Sequence, residues 1–145
     1  MKLTRLPLLL LAATLISSDL AFAASKFAIP ATDEGLPGEG PIRRYGWFQN
    51  LWERKRTGWA KKVEQDQGAL VFLGDSITQG WGDNMGNSFP GVKVANRGIS
   101  GDTTRGVLIR LKEDVLSLNP KGVVILIGTN DLEEGVEEIQ AAGLE

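Results

Sequence analysis

The sequence of 145 residues contains neither cysteine nor histidine. The lack of cysteine excludes disulfides, thiolate nucleophiles and cysteine-ligated metal sites. The lack of histidine removes the commonest general base and the commonest metal ligand in proteins. The formal net charge of −2 provides no basic field that would attract nucleic acid. We therefore expect no metal, no cofactor and no nucleic-acid partner.

The first 23 residues have the features of a secretory signal peptide. Lys2 and Arg5 give a positively charged start, and a short apolar run follows over residues 6–16. Residues 21–23 carry alanine at both positions that a signal peptidase reads. We predict cleavage after Ala23 and a secreted or periplasmic protein. The alternative is a membrane anchor, but the apolar run falls well below the roughly 20 residues that span a bilayer.

The composition after the leader favours a single globular domain. Residues 24–45 are rich in proline and glycine and predict a linker or an extended arm. Residues 46–145 are predicted to form the domain itself, beginning with an amphipathic helix from Trp47 to about Gln65. Its apolar side chains recur at helical spacing: they are Phe48, Trp52, Trp59 and Val63.

Three apolar runs follow, over residues 69–73, 92–95 and 122–127, and each ends in a small polar loop. Runs of this kind, rich in valine and isoleucine, are typical of strands buried on both faces of a parallel sheet. Between the second and third runs lies a predicted helix that Asp102 or Thr103 can cap. The order of elements indicates an α/β domain. The apolar positions of the intervening helix are Leu108, Leu111, Val115 and Leu118.

Ser76, Gly101 and Asn130 lie in the loops that follow the three predicted strands. Ligands of open parallel sheets bind at the carboxyl ends of the strands, so these residues should meet at one edge. Acyl transfer needs a nucleophile and donors aimed at the oxygen that becomes negative. We predict that Ser76 is the nucleophile and that an oxyanion hole is formed by the N–H groups of Ser76 and Gly101 and the Asn130 side chain. Taken singly, Ser76 could be a helix cap, Gly101 a left-handed turn and Asn130 an Asx turn.

These loops resemble three sequence blocks of the SGNH (GDSL) hydrolase superfamily. Residues 72–81 (FLGDSITQGW) resemble the first block, residues 96–103 (NRGISGDT) the second, and residues 128–131 (GTND) the third. Within the superfamily, the tryptophan-rich helix before the first strand makes the sequence similar to the branch related to platelet-activating-factor acetylhydrolase subunits. The resemblance implies a flavodoxin-like, three-layer α/β/α fold with a five-stranded parallel sheet. About three of those strands are present here, and the third would lie at an edge.

The resemblance also implies an activity, namely hydrolysis of carboxylic esters through an acyl-serine intermediate on Ser76. The branch and the predicted export favour short acyl groups on carbohydrates or lipids. The resemblance further implies that Asp75 has a structural role in its loop. The superfamily's last block, a D-x-x-H pair that supplies the general base, has no counterpart in the sequence. Because a serine hydroxyl is a weak nucleophile without a base, we expect the chain as written to be nearly inert. We predict an incomplete domain, from a truncated reading frame or an incomplete gene record.

Two other classes of function are alternatives to an active esterase. One is a secreted binding module that kept the oxyanion pocket and lost its base. The other is a nucleotide or phosphate binder, which the carboxylate of Asp75 at the strand tip and the lack of a G-x-x-x-x-G-K pattern disfavour. Trp81, just past the nucleophile, is the tryptophan we would consider for substrate contact. A further amphipathic helix is predicted to begin at Glu133, and the oligomeric state stays open.

Overall fold

The computed structural model describes residues 25–132. The predicted signal peptide and the helix predicted from Glu133 therefore lie outside the described residues. No helix in the described part of the chain is long and apolar enough to cross a membrane. The α-helices are α1 (Gly46–Ala60), α2 (Ser76–Gly80) and α3 (Thr104–Asp114), and the strands are β1 (Leu70–Gly74), β2 (Val94–Gly98) and β3 (Gly122–Leu126). Two short 3-10 helices span Met85–Asn87 and Leu116–Leu118.

The three strands form a parallel sheet in the order β2-β1-β3. Gly74 at the end of β1 pairs with Gly98 on one side and Leu126 on the other, so the carboxyl ends of all three strands are level. This confirms the predicted α/β class with a partial parallel sheet. Strand β2 starts two residues later than predicted and continues through two polar residues. Those residues, Asn96 and Arg97, are buried with polar partners, so an apolar run does not mark this strand.

The principal core lies between one face of the sheet and α3. A second cluster joins α1 to the loop after β2, and it consists of Phe48, Trp52, Trp59 and Ile99. The amphipathic helix predicted from Trp47 is thus present, although it ends at Ala60 and turns occupy residues 61–68. The buried residues of the principal core are Ala69, Val71, Leu73, Ala95, Val107, Val115 and Leu118.

The buried face of α3 differs in part from the predicted face. Leu108 is 44% exposed, whereas Arg110 is fully buried and Asp114 is also buried. Both charged side chains are paired inside the protein, Arg110 with Asp102 and Asp114 with Arg56. Charged residues are rarely buried unless they are paired, so an apolar pattern alone assigns them to the surface. The apolar positions of the helix therefore do not coincide fully with its buried positions.

Strand β3 forms an edge of the sheet within residues 25–132, as the resemblance implied. Its side chains are exposed although all of them are apolar, from 37% for Val123 to 59% for Ile125. The prediction that this strand is buried on both faces does not hold for the described residues. The sheet face away from α3 also carries an apolar cavity of about 280 Å³. The lining residues are Phe72, Ile77, Thr78, Trp81, Met85, Phe89, Val124 and Leu126.

Candidate active site

The first loop places Ser76 at the start of α2, directly after β1. Asp75 caps this helix, because its Oδ1 accepts a hydrogen bond from the N–H of Ile77 at 3.0 Å. The Asp75 side chain is buried, whereas Ser76 is exposed. Gly74 permits the close approach of α2, since a Cβ there would overlap the Thr78 hydroxyl. Ser76 is therefore presented to solvent on a rigidly packed turn.

The second loop, after β2, carries Gly101 in the left-handed region at φ 85°. A Cβ at this position would lie 2.8 Å from both Arg43 Nη1 and Trp47 Cη2, so a side chain is excluded by space as well as by conformation. Thr103 is the cap of α3, with its hydroxyl accepting from Gly106 N at 3.1 Å. Asp102 does not cap the helix by the same bond. Its carboxylate instead accepts from Thr103 N at 3.0 Å within the loop.

The third loop, after β3, joins the other two through Asn130. The Asn130 side chain is buried, and its Nδ2 donates to the carbonyl of Asp102 at 2.8 Å. The same nitrogen lies 3.5 Å from Asp75 Oδ2. The next residue, Asp131, accepts a hydrogen bond from Thr104 N at the start of α3 at 3.0 Å. Asn130 is thus in contact with the neighbours of both Ser76 and Gly101.

The backbone donors predicted for the oxyanion hole are available for a ligand. Neither Ser76 N–H nor Gly101 N–H has an acceptor within the described residues. Asn130 Nδ2 carries two hydrogens, of which the bond to Asp102 uses one. The 3.5 Å contact with Asp75 is at the long limit for a hydrogen bond. The loops at the carboxyl ends of the strands therefore offer an exposed hydroxyl together with donors that have no strong internal partner.

Two residues that support the site were missed in the sequence analysis. Asn96 donates from Nδ2 to the carbonyls of Thr78 at 2.6 Å and Gly82 at 2.9 Å, which ties β2 to α2 and the turn after it. Arg110 pairs with Asp102 and donates to two backbone carbonyls near the loops. Asn96 belongs to the second sequence block, and a polar residue between an apolar run and a glycine was the available signal. Arg110 gave no such signal.

The electrostatics of the site are dominated by buried carboxylates with arginine partners. Burial raises the pKa of Asp102 to about 6, although the Arg110 guanidinium acts in the opposite direction. Burial also raises the pKa of Asp114, against the lowering effect of Arg56. In the part of the chain that the structure describes, no group of three acidic side chains could hold a metal ion. The carboxylate of Asp102 is thus held in an ion pair beneath the loops.

Comparison with known proteins places the chain in a family. Residues 72–144 match the GDSL-like lipase/acylhydrolase family. The matched region contains all three loops described above and covers half of the chain. The chain belongs to the GDSL-like lipase/acylhydrolase family.

Several individual proteins are similar to the chain. Platelet-activating factor acetylhydrolase IB subunit alpha2 from Rattus norvegicus and that from Homo sapiens are each 31% identical to it over 121 residues, covering 81% of this chain and 48% of theirs. Acetylxylan esterase from Geobacillus stearothermophilus is 34% identical over 86 residues, covering 43% of this chain and 39% of that protein. The chain spans about half the length of the curated relatives it matches or less.

Proposed function

We propose that the chain carries the nucleophile and oxyanion hole of a serine ester hydrolase. One observation supports this more than any other. Asn130 bridges the loops of Ser76 and Gly101, while the N–H groups of both residues lack acceptors in residues 25–132. An exposed hydroxyl beside unused donors suits an acyl group whose carbonyl oxygen becomes negative during reaction.

The reaction begins when Ser76 Oγ attacks the carbonyl carbon of the ester and loses its proton to a base. The oxygen of the tetrahedral intermediate accepts hydrogen bonds from Ser76 N–H, Gly101 N–H and the second hydrogen of Asn130 Nδ2. The bond to the alcohol then breaks, and the alcohol leaves with the proton, giving acyl-Ser76. Water attacks this ester in the same way and releases the carboxylic acid. Each step uses the same donors.

The sequence contains no histidine, the commonest general base, so we assign the base to none of its residues. In another serine hydrolase, loss of the histidine costs about 10⁶ in kcat. Asp75 and Asp102 are not candidates to replace it, since both are buried in bonds that hold the loops. A binding module that recognises esters without turnover is the second candidate, and the missing histidine is the observation that favours it.

Short-chain esters are the substrate class that we propose. The relatives are named as an acetylhydrolase of platelet-activating factor and as an acetylxylan esterase. An acetyl group needs little space beyond the oxyanion hole, and the arm and α1 close the Gly101 side through Arg43 and Trp47. Trp81 lines the apolar cavity on the far face of the sheet with Ile77, the neighbour of Ser76. We propose that a substrate's alcohol part extends away from Gly101.

An exogenous base provides the test of this function. We expect imidazole to restore acylation of the chain by p-nitrophenyl acetate, an ester whose leaving group needs no protonation. Release of p-nitrophenol should rise with imidazole concentration in the wild type and should be reduced to the background of imidazole alone in Ser76→Ala. Ser88→Ala, which removes another exposed serine, is the matched control and should react like the wild type.

The outcome also separates the two candidate functions. Equal p-nitrophenol release by the wild type and Ser76→Ala would contradict an esterase site. Acetate that nonetheless shifts the amide resonances of Ser76 and Gly101 would then support the binding module. Without such shifts, both candidate functions would be wrong.

We also propose that the protein is exported. The support is the leader described above, with Lys2 and Arg5 before an apolar run and alanines at 21 and 23. When the full chain is expressed in a bacterium with a Sec pathway, the N-terminus of the exported protein should be Ala24. Replacing Ala23 with a bulky arginine should leave the leader attached, because the peptidase reads a small residue there. An uncleaved wild-type chain in the cytoplasm would contradict the proposal.

A further inference from the structure

Arg110 lies outside the three site loops, yet its side chain contacts the segments that carry two of them. It projects from α3 and is fully buried. Nε donates to Asp102 Oδ2 at 2.8 Å, and Nη2 donates to the carbonyl of Arg97 at 2.9 Å and to that of Gly74 at 3.3 Å. One guanidinium therefore contacts the end of β1, the end of β2 and the loop after β2.

The acceptors of Arg110 lie next to the donors of the proposed oxyanion hole. Gly74 precedes Ser76 by two residues, and Asp102 directly follows Gly101. The carbonyl of the same Asp102 accepts the hydrogen bond from Asn130. A movement of the guanidinium would consequently displace all three donors relative to one another.

We infer that Arg110 is a positioning residue of the ester hydrolase site and that it holds the three oxyanion donors at fixed distances from one another. This inference rests on the proposed function. The planar guanidinium suits the task because its N–H groups point in set directions, whereas a lysine ammonium is a point charge on a flexible stem. Two aromatic rings restrict the plane further. The centroids of Trp59 and Trp52 lie 5.5 Å and 5.8 Å from Arg110 Cζ.

Stability alone is a poor explanation for this buried ion pair. Removing both charges from water costs free energy that their attraction often fails to recover, and apolar replacements can be as stable. Arg110 Nη1 even has no hydrogen-bond partner within the described residues, and it lies 3.9 Å from Asp114 Oδ2. The hydrogen bonds that Arg110 does make go to the ends of β1 and β2 and to Asp102 in the loop after β2. We therefore attribute to Arg110 the role of fixing the geometry of the loops.

The chain offers a matched control in Arg56. This arginine is also buried, it also pairs with a buried carboxylate, Asp114 at 2.9 Å, and its Cζ also lies near the Trp52 ring, at 5.4 Å. Its hydrogen bonds go to Asp114 and Glu113 on α3 and to none of the three loops. A general loss of stability should therefore appear in variants of both arginines. A loss of loop geometry should appear only in variants of Arg110.

The test compares Arg110→Lys with Arg56→Lys by two measurements. The first is the rate of Ser76 acylation by p-nitrophenyl acetate with imidazole, under conditions where each variant is folded. We expect Arg110→Lys to be about 10- to 100-fold slower than the wild type, since a small misplacement of catalytic groups has effects of this size. Arg56→Lys should react at the wild-type rate. The second is the set of amide resonances of Ser76, Gly101 and the Asn130 side chain, which should shift in Arg110→Lys only.

The inference is overturned if the two variants have equal acylation rates and equal resonances. If the wild type itself is not acylated at Ser76, the proposed function fails, whereas the resonances still decide whether Arg110 positions the donors. If Arg110→Lys does not fold, the double variant Arg110→Met with Asp102→Asn takes its place. It removes both charges at once and so leaves no unpaired charge in the interior. Unchanged resonances in the folded double variant would equally overturn the inference.

Discussion

Replacing Asn130 with alanine is expected to slow acylation of Ser76 about 10²–10³-fold, which is the usual cost of losing one oxyanion donor. The reason lies in the two hydrogens of Nδ2. One is bound to the carbonyl of Asp102 at 2.8 Å, and the other has only a 3.5 Å contact with Asp75. The second hydrogen is therefore free to bind the developing oxyanion. The measurement is the initial rate of p-nitrophenol release from p-nitrophenyl acetate at saturating imidazole.

The same substitution also affects stability, and the two effects have to be separated. Without Asn130 the buried carbonyl of Asp102 loses a donor, which typically costs about 1–3 kcal/mol. The rate is therefore compared at a temperature where urea unfolding shows the variant to be folded. Asn84→Ala is the control, because Asn84 is exposed and its Nδ2 donates to Asn87 away from the site. If folded Asn130→Ala is acylated as fast as Asn84→Ala, Asn130 is not an oxyanion donor.

Replacing Gly98 with alanine is expected to lower the unfolding free energy by about 3 kcal/mol or more, at the upper end for an overpacked site. The added Cβ would overlap Gln79 N and would lie 2.8 Å from Thr78 C, and both atoms belong to the backbone of α2. A helix backbone cannot rotate away as a side chain can. Because α2 begins at Ser76, its displacement should also abolish acylation. Urea denaturation and the acylation assay check the two parts.

Gly58→Ala is the matched control for this prediction. Gly58 lies inside α1, and a Cβ there would meet nothing within 4 Å. The same substitution should therefore stabilise the protein, by about 0.8–1 kcal/mol, which is the difference in helix propensity. Opposite signs at the two glycines are the expected result. A Gly98→Ala variant as stable as the wild type would show that α2 does not pack on β2 as described.

The parts of the fold that were predictable follow from local patterns. The β1 strand and its loop were visible because an unbroken apolar run stops at Gly74 and polar residues follow at once. The parallel order brought Ser76, Gly101 and Asn130 to one edge, as the carboxyl ends of parallel strands require. The catalytic roles of these residues stay predictions, which the experiments above address.

The parts that were not predictable depend on partners distant in sequence. The sequence pattern predicts Arg110 and Asp114 to be surface residues of α3. Their burial is possible because Arg110 pairs with Asp102 and Asp114 pairs with Arg56. Arg97 lies inside a strand for the same reason, with Asp66 as its partner at 2.7 Å. No periodicity of apolar residues reports such pairs. The residues that support the oxyanion loops could therefore not be predicted from the sequence.

The most direct test of the central claim is to locate the acyl group after the chain has reacted with p-nitrophenyl acetate and imidazole. Hydrolysis of the acyl-enzyme also needs a base, so the acetyl ester should persist when ester and imidazole are removed rapidly. Peptide mass spectrometry should then find one acetyl group on Ser76 in the wild type and none on the corresponding peptide of Ser76→Ala. Acetyl groups confined to lysines, and equally abundant in both proteins, would contradict the account.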